Sequence, residues 1–244
     1  MIQLVPILSA LLAANGASAD PASTGSVPVL VELFTSEGCS SCPAAESVLA
    51  RLEREQPVAG ARVVLLERHV TYFDNLGWKD RFGTASATAR QQAYAERMRR
   101  DSIYTPQAVV DGAAEAVGSD RDALVRLVKN AAQRQKGSVV VRPSSGGRVE
   151  VEARWAGDRP AEVFAAAILP EVETDVQGGE NAGRRLHHAS VVVKHWKLGD
   201  GRGRLAAAFQ RPSSPLGPVE IVAFVQEPDG GSVLAVGEEA AAAR

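Results

Sequence analysis

The first part of the chain alternates between short apolar runs and a segment of helical periodicity. Residues 28–34 and 62–70 are rich in β-branched and other apolar side chains, which is typical of buried strands. Residues 42–54 between them have the periodicity of an amphipathic helix. This order predicts a βαβ unit with two parallel strands. Glu67 and Arg68 interrupt the second apolar run, so we expect that strand to end or to reach the surface there.

A second series of elements follows in the next part of the chain. Asp111-Gly112 is a hairpin signal, because a type I′ turn needs residues that tolerate positive φ. The flanking segments are apolar enough for two short strands, and the segments before and after them have helical composition. The predicted elements are a helix over residues 84–100, strands at 108–110 and 113–117, and a helix over 120–134.

The pattern changes after Gly137. Short apolar or alternating stretches are separated by Gly, Pro and Ser, which predicts an antiparallel unit of about six strands. We therefore predict an α/β domain over residues 28–136, a small antiparallel β-rich domain over 137–237 and a tail over 238–244. The predicted strands of the second domain are 138–142, 149–155, 161–169, 188–196, 204–210 and 219–226.

Composition and the amino-terminal residues narrow the class of protein. The 244 residues are 45% hydrophobic and 23% charged. The net charge is −2, so the chain lacks the excess positive charge that attracts nucleic acid. Residues 1–19 are mostly apolar and end in Ala-Ser-Ala, which predicts a signal peptide followed by a linker over 20–27. We therefore expect a periplasmic or secreted protein with no stable membrane span after signal cleavage.

The two cysteines, Cys39 and Cys42, are the first candidates for chemistry. A bond between residues three apart closes a very small loop and contributes little to stability, which favours a chemical role. A cysteine at a strand end and helix start has a lowered thiol pKa. We therefore expect Cys39 to be the accessible, attacking thiol and Cys42 to be the more buried, resolving thiol. An inert bridge and half of a zinc site are the alternatives.

The zinc alternative lacks ligands. A structural zinc site needs four, and the chain has no second cysteine pair. His69 is a possible third ligand, but we expect His187-His188 to lie far away in the β-rich domain. We therefore predict no metal site.

Several residues are candidates for contacts around the thiols. Thr105-Pro106 precedes the third strand, and a cis peptide there would hold a backbone edge beside Cys39; a trans proline in a β-turn is the alternative. We predict that Thr105, Pro106 and Trp78 bind the substrate, with core packing the alternative role for Trp78.

Two titratable residues could tune the thiols. Glu37 would raise a nearby thiol pKa by like-charge repulsion. His69 could help to deprotonate a cysteine, although a structural histidine is the alternative. The polar segment 180–185 either lines an interface with the first domain or forms a solvated hairpin loop.

Over residues 28–135 the chain resembles the thioredoxin superfamily, in which strand–CxxC–helix precedes Thr-Pro and a strand–turn–strand. The phrases ELFTSEGCSSCP, HV-x-Y-x-D-x-LGWKD, YTPQ-x-VVDG, VGSDR and GENAGRRLHH are similar to one family of secreted bacterial proteins with a thioredoxin-like domain of unknown function. The resemblance implies a thioredoxin-like βαβ…ββα fold and a thiol site. The residues beside the cysteines differ from the Trp-Cys-Gly-Pro pattern of thioredoxins.

Two functions of different classes follow. The first is an envelope thiol–disulfide oxidoreductase that acts through a redox-active Cys39–Cys42 pair and needs no further cofactor. Its partner would be a thiol- or disulfide-containing envelope protein or a small thiol. The second is a non-catalytic binding module on the same scaffold, in which the cysteine pair is a structural disulfide or a metal clip.

Overall fold

The computed structural model describes residues 25–239, which form a mixed α/β structure dominated by sheet. The predicted signal peptide, most of the predicted linker and residues 240–244 of the predicted tail lie outside the described residues. The helices are α1 (Cys42–Glu55), α2 (Ala85–Arg97) and α3 (Arg121–Ala132). The strands are β1 (Val27–Thr35), β2 (Ala61–His69), β3 (Gln107–Val110), β4 (Ala114–Val117), β5 (Ser138–Pro143), β6 (Arg148–Arg154), β7 (Pro160–Asp175), β8 (Arg185–Arg202), β9 (Arg204–Gln210), β10 (Glu220–Gln226) and β11 (Val233–Glu238).

The strands of the first half form the predicted βαβ unit and hairpin. β1 and β2 are parallel over their whole length, with α1 as the crossover between them. β3 lies antiparallel on the other side of β1, and β4 pairs with β3. The order in this part of the sheet is therefore β2-β1-β3-β4. α1 and α3 pack on one face of these strands, and Tyr94 of α2 packs on the other face.

The second half continues the same sheet. β8 pairs in parallel with β2 at Val191 and Glu67, which extends the order to β11-β10-β7-β8-β2-β1-β3-β4. β5, β6 and β9 branch from β8 and pack over the apolar face of β7, β8 and β10. The predicted boundary at residue 136 falls between α3 and β5, and the division into two domains stays a prediction. The second half has one strand more than expected, since Val233–Glu238 forms β11.

The second strand neither ends nor reaches the surface at Glu67 and Arg68, so that expectation is wrong. β2 continues to His69, and its charged residues Glu67 and Arg68 are buried. β2 has a neighbouring strand on both sides and packing on both faces, so its polar side chains find partners inside the protein. Side chains alternate along a strand, so Glu67 and His69 face α1 while Arg68 faces the opposite side.

Within residues 25–239, no helix is long and apolar enough to cross a membrane.

Candidate functional site

The two cysteines form a disulfide at the junction between β1 and α1. Cys42 is the first residue of α1, and Cys39 lies in the turn before it, with a Cα–Cα distance of 5.4 Å. Pro43 occupies the first turn of α1, where the missing N–H of proline costs least. The prediction that the pair sits where a strand leads into a helix is therefore confirmed.

The expected exposure of Cys39 is wrong. The residue is 2% exposed, and Cys42 is 0% exposed. Residues 176–184, the connection between β7 and β8, contact the cysteine turn, and we call them the cover loop. The Asn181 amide donates to the backbone oxygens of Glu37 and Cys39, each at 2.9 Å. The Ser40 N–H donates to the Glu180 carboxylate at 2.8 Å. Of the two alternatives for segment 180–185, these contacts support the interface with the first half over the solvated hairpin loop.

Thr105 and Pro106 lie beside Cys39, and the peptide bond between them is cis, as the sequence predicted. The Thr105 hydroxyl lies 3.3 Å from the Cys39 sulfur, and the Ser41 hydroxyl lies 3.4 Å from the same sulfur. Hydroxyl groups in these positions can donate hydrogen bonds to a thiolate, which would favour the ionised form of Cys39 after reduction. Substrate binding by Thr105 and Pro106 stays a prediction.

Trp78 is half-buried and contacts the residue that precedes the cysteine turn. Its indole N–H donates to the Glu37 carboxylate at 2.7 Å. Glu37 is buried, and its backbone N–H donates to Asp80 at 2.8 Å. Burial favours the neutral acid, but contacts with His188 and Trp78 hold the pKa of Glu37 below its usual value. The effect of Glu37 on the pKa of the thiols stays a prediction, and so does the role of Trp78 in substrate binding.

A buried group of acids and imidazoles lies behind the disulfide. Its members come from β2, β8, α1 and the loops that follow β1 and β2. Six ionisable side chains in a region shielded from water are costly unless they compensate one another. We call this group the histidine cluster; it consists of Glu37, Glu46, Glu67, His69, Asp80 and His188.

His69 lies between two carboxylates of this cluster. Its Nδ1 is 2.7 Å from Asp80 Oδ2, and its Nε2 is 3.1 Å from Glu67 Oε1. Burial by itself would lower the pKa of His69, but Asp80 and Glu67 outweigh burial and raise that pKa to about 10. A histidine that keeps its proton at neutral pH is a poor base for a thiol. These contacts favour the structural role over the deprotonating role.

His188 is not remote from the first half, and that expectation is wrong. Its Nδ1 lies 3.0 Å from Glu67 Oε1 and 3.3 Å from Glu46 Oε2, and its ring centroid is 5.0 Å from that of His69. β8 lies next to β2 in the sheet, which places His188 on the α1 side. Burial alone would lower the pKa of His188, but Glu37, Glu46 and Glu67 raise that pKa to about 12.

Glu46 connects the histidine cluster to the cysteine helix. It lies four residues after Cys42, on the same face of α1. The Thr35 hydroxyl donates to Glu46 Oε1 at 2.6 Å. Burial and the Glu67 carboxylate raise the pKa of Glu46, so this side chain holds a proton more tightly than an exposed glutamate. A carboxyl group in this position can exchange protons with groups around the disulfide.

Glu46, His188 and Asn181 are functional candidates that sequence reasoning did not select. Glu46 had a usable signal, because it is a charged residue between the apolar core positions Ala45 and Leu49 of a helix. Segment 180–185 and the phrase GENAGRRLHH drew attention to Asn181 and His188, but only pairing between the two halves of the chain brings these residues to the cysteine turn.

A second buried ionic group lies on the other face of β1 and β2. Glu32 Oε1 accepts hydrogen bonds from Arg68 Nε at 2.5 Å and from Arg90 Nε at 2.7 Å. Arg90 Nη2 and the Tyr94 hydroxyl donate to Glu32 Oε2. Burial raises the pKa of Glu32, but Arg90 and Arg68 hold it well below its usual range. We call this group the arginine cluster; it consists of Glu32, Arg68, Arg90, Tyr94 and Gln226.

Comparison with known proteins gives a family. Residues 30–226 match the family described as "Protein of unknown function (DUF1223)". The chain is also similar to the crystal structure of protein AGR_C_4864 from Agrobacterium tumefaciens, with a TM-score of 0.73 and 27% sequence identity over 88% of this chain and 95% of that chain. No curated protein matches the sequence. Because the family match covers most of the chain, the protein belongs to the DUF1223 family of proteins of unknown function.

Proposed function

We propose that the protein is a thiol–disulfide oxidoreductase of the cell envelope with a thioredoxin-like domain over residues 28–136. The element order β1-α1-β2-α2-β3-β4-α3 and the strand order β2-β1-β3-β4 support this assignment. The resemblance of the sequence to thioredoxins implies the same order of elements. The sheet content after residue 136 supports a β-rich second domain.

One observation carries the proposed activity. The Cys39–Cys42 disulfide lies at the β1–α1 junction, and the Thr105 hydroxyl is 3.3 Å from the Cys39 sulfur. A bond that closes so small a loop contributes little to stability, so stabilisation does not explain it. The Thr105 hydroxyl contacts the sulfur of Cys39, the cysteine that precedes α1.

The reaction is an exchange between the Cys39–Cys42 dithiol and a partner disulfide. In the reduced protein, the Cys39 thiolate attacks a partner disulfide, forms a mixed disulfide and releases one partner thiolate, which takes up a proton. The Cys42 thiol then loses its proton and attacks the Cys39 sulfur, which re-forms the Cys39–Cys42 bond and releases the second partner thiol. Two electrons pass from the protein to the partner, and the reverse sequence oxidises a partner dithiol.

Access to Cys39 depends on the cover loop. Asn181 and Glu180 hold it to the cysteine turn through three hydrogen bonds, so a partner reaches the sulfur only when these bonds open. We propose that the partner is a thiol- or disulfide-containing envelope protein or a small thiol. Thr105, Pro106 and Trp78 remain the proposed contacts to it.

The envelope location rests on two observations. Residues 1–19 have the composition of a signal peptide. A disulfide between the only two cysteines suits an oxidising compartment such as the periplasm or the extracellular space. Detection of the protein in the periplasmic or culture fraction, with its amino terminus at Asp20, tests this part of the proposal.

A second candidate function is a non-catalytic binding module with a structural disulfide. The burial of both cysteines under the cover loop favours it, because an inert bridge needs no access. The two functions differ in redox behaviour. A reduction potential below about −300 mV is typical of inert structural disulfides.

The deciding experiment measures the reduction potential and the rate of insulin or model-peptide exchange. Wild type is compared with Cys39→Ser, Cys42→Ser and the double variant. The oxidoreductase proposal predicts exchange in wild type and stable mixed disulfides with Cys42→Ser in the envelope. Wild-type exchange no faster than that of the double variant, with a potential below about −300 mV, would support the binding module instead.

A further inference from the structure

The histidine cluster contains a set of donor atoms that the redox proposal does not use. Glu67 Oε1, His69 Nε2 and His188 Nδ1 all lie within 4.8 Å of one another. Glu67 Oε1 is 3.1 Å from the His69 nitrogen and 3.0 Å from the His188 nitrogen. Imidazole nitrogen and carboxylate oxygen are donor types that zinc and related divalent ions take in proteins.

Glu46 lies next to this set of three donors. Its Oε2 lies 3.3 Å from His188 Nδ1 and, within residues 25–239, has no hydrogen-bond partner although it is buried. Metal–ligand bonds of about 2.0–2.2 Å in a tetrahedral site place neighbouring donors about 3.3–3.6 Å apart. The separations of 3.0 and 3.1 Å between Glu67 Oε1 and the two imidazole nitrogens are within a few tenths of an ångström of that spacing.

The outer nitrogen of each imidazole faces a further carboxylate. His69 Nδ1 lies 2.7 Å from Asp80 Oδ2, and His188 Nε2 lies 3.6 Å from Glu37 Oε1. Metal-bound histidines usually donate their other ring N–H to a carboxylate, a carbonyl or water, which orients the ring toward the metal. His69 has this arrangement, whereas His188 Nε2 faces Glu37 Oε1 at a distance too long for a hydrogen bond. The inner nitrogens of both rings are directed at Glu67.

The charge of the cluster also accommodates a cation. Four buried carboxylates need positive charge nearby. Two protonated imidazoles supply two positive charges, and a divalent ion held by two neutral imidazoles supplies the same number. A cavity of about 200 Å³ is lined in part by His69, and a cavity of about 380 Å³ is lined in part by Glu46.

From this geometry we infer a metal site: Glu67, His69 and His188 bind one divalent ion of the zinc class, with the Glu46 carboxyl group beside His188. The donor set contains no cysteine, so it differs from the metal clip considered from the sequence. It also departs from the sequence-based prediction of no metal site, which considered His69 only as a ligand beside the cysteines and placed His188 far away. Binding at this site is independent of the redox state of Cys39 and Cys42.

The test uses the purified protein with its disulfide intact, first treated with a chelator and then dialysed. Zn²⁺ is added and counted by mass spectrometry, and Co²⁺ is added as a spectroscopic probe. We expect one equivalent of Zn²⁺ and the strong visible absorption of a tetrahedral Co²⁺ site. Bound metal also raises the melting temperature, because it binds only the folded state.

Variants at the cluster are compared with a neighbour that points outward. His188→Gln and Glu67→Gln should weaken Zn²⁺ binding by about 100-fold or more, and Asp80→Asn, which only supports His69, by about 10- to 100-fold. His187→Gln is the matched control, because this side chain is 71% exposed on the same strand and should leave binding unchanged.

Circular dichroism of each metal-free variant separates misfolding from lost binding. Asp80→Asn keeps the test decisive if a ligand variant does not fold.

Three outcomes would overturn the proposal. They are no stoichiometric Zn²⁺ in wild type, an equal loss of binding in His187→Gln and His188→Gln, or binding that appears only after the disulfide is reduced. The last outcome would assign the ion to Cys39 and Cys42.

Discussion

The arginine cluster and the histidine cluster lie on opposite faces of β1 and β2 and are built differently. In the arginine cluster, a single carboxylate, Glu32, accepts hydrogen bonds on both oxygens from two guanidinium groups and a tyrosine. In the histidine cluster, four carboxylates share two imidazoles. Within the described part of the chain, the buried atoms without a hydrogen-bond partner include Glu37 Oε1, Glu46 Oε2 and His188 Nε2 of the histidine cluster and Arg68 Nη2 of the arginine cluster.

The difference indicates different roles for the two faces. A buried carboxylate that is saturated by cations is the arrangement expected of a structural ion group. A buried group with more acids than cations is costly, and such groups occur more often at functional sites. The histidine cluster is also the one next to the disulfide. We therefore expect the arginine cluster to govern stability and the histidine cluster to govern chemistry.

The largest effect on the free energy of unfolding should come from removing Glu32, the single acid of the arginine cluster. Glu32→Ala leaves Arg68 and Arg90 buried without their carboxylate, which should lower the free energy of unfolding by about 3–5 kcal/mol. Chemical denaturation measures this change. Glu55→Ala, at an exposed position, is the control and should change stability little. A loss below about 1 kcal/mol in Glu32→Ala would contradict the assigned role.

The same cluster should make stability depend on acid pH. The pKa of Glu32 is lower in the folded protein than in the unfolded chain, so its contribution is present above about pH 5 and decreases as the pH falls below the unfolded pKa. The difference in unfolding free energy between wild type and Glu32→Gln should therefore shrink between about pH 5 and pH 3, by at most about 1.4 kcal/mol per pH unit. A difference that stays constant over this range would show that the charge of Glu32 is not responsible.

On the face with the histidine cluster, loosening the cover loop should have a moderate effect on the rate of disulfide reduction. Asn181→Ala removes two hydrogen bonds to the cysteine turn, which should make reduction of the disulfide by dithiothreitol about tenfold faster. Asn130→Ala, on the exposed side of α3, is the control. Equal reduction rates in wild type and both variants would mean that the cover loop does not limit access to Cys39.

The smallest effect on stability should come from neutralising an acid of the histidine cluster. Glu46→Gln keeps an acceptor for the Thr35 hydroxyl and removes a charge that the folded protein disfavours, as the raised pKa of Glu46 shows. The free energy of unfolding at pH 7 should change by less than about 1 kcal/mol. A loss as large as that of Glu32→Ala would remove the distinction between the two clusters.

The local part of this protein could be predicted from its sequence. Strand and helix periodicity indicated β1, α1 and β2, and the spacing of Cys39 and Cys42 placed a disulfide at their junction. Thr105-Pro106 indicated a cis peptide beside it. β11 was missed because its apolar residues run directly into a polar, alanine-rich end that has the composition of a tail. These features depend on residues that are close in sequence, or on patterns that repeat along one element.

The cover over Cys39 and the histidine cluster were decided by tertiary structure alone. Asn181 and His188 lie more than 100 residues from the groups they contact, and they arrive because β8 pairs with β2 across the two halves of the chain. Strand pairing satisfies backbone hydrogen bonds that any sequence offers, so the choice of partner strand leaves no local mark in the residues themselves. Composition therefore determined which side chains were available, and long-range pairing determined which of them meet.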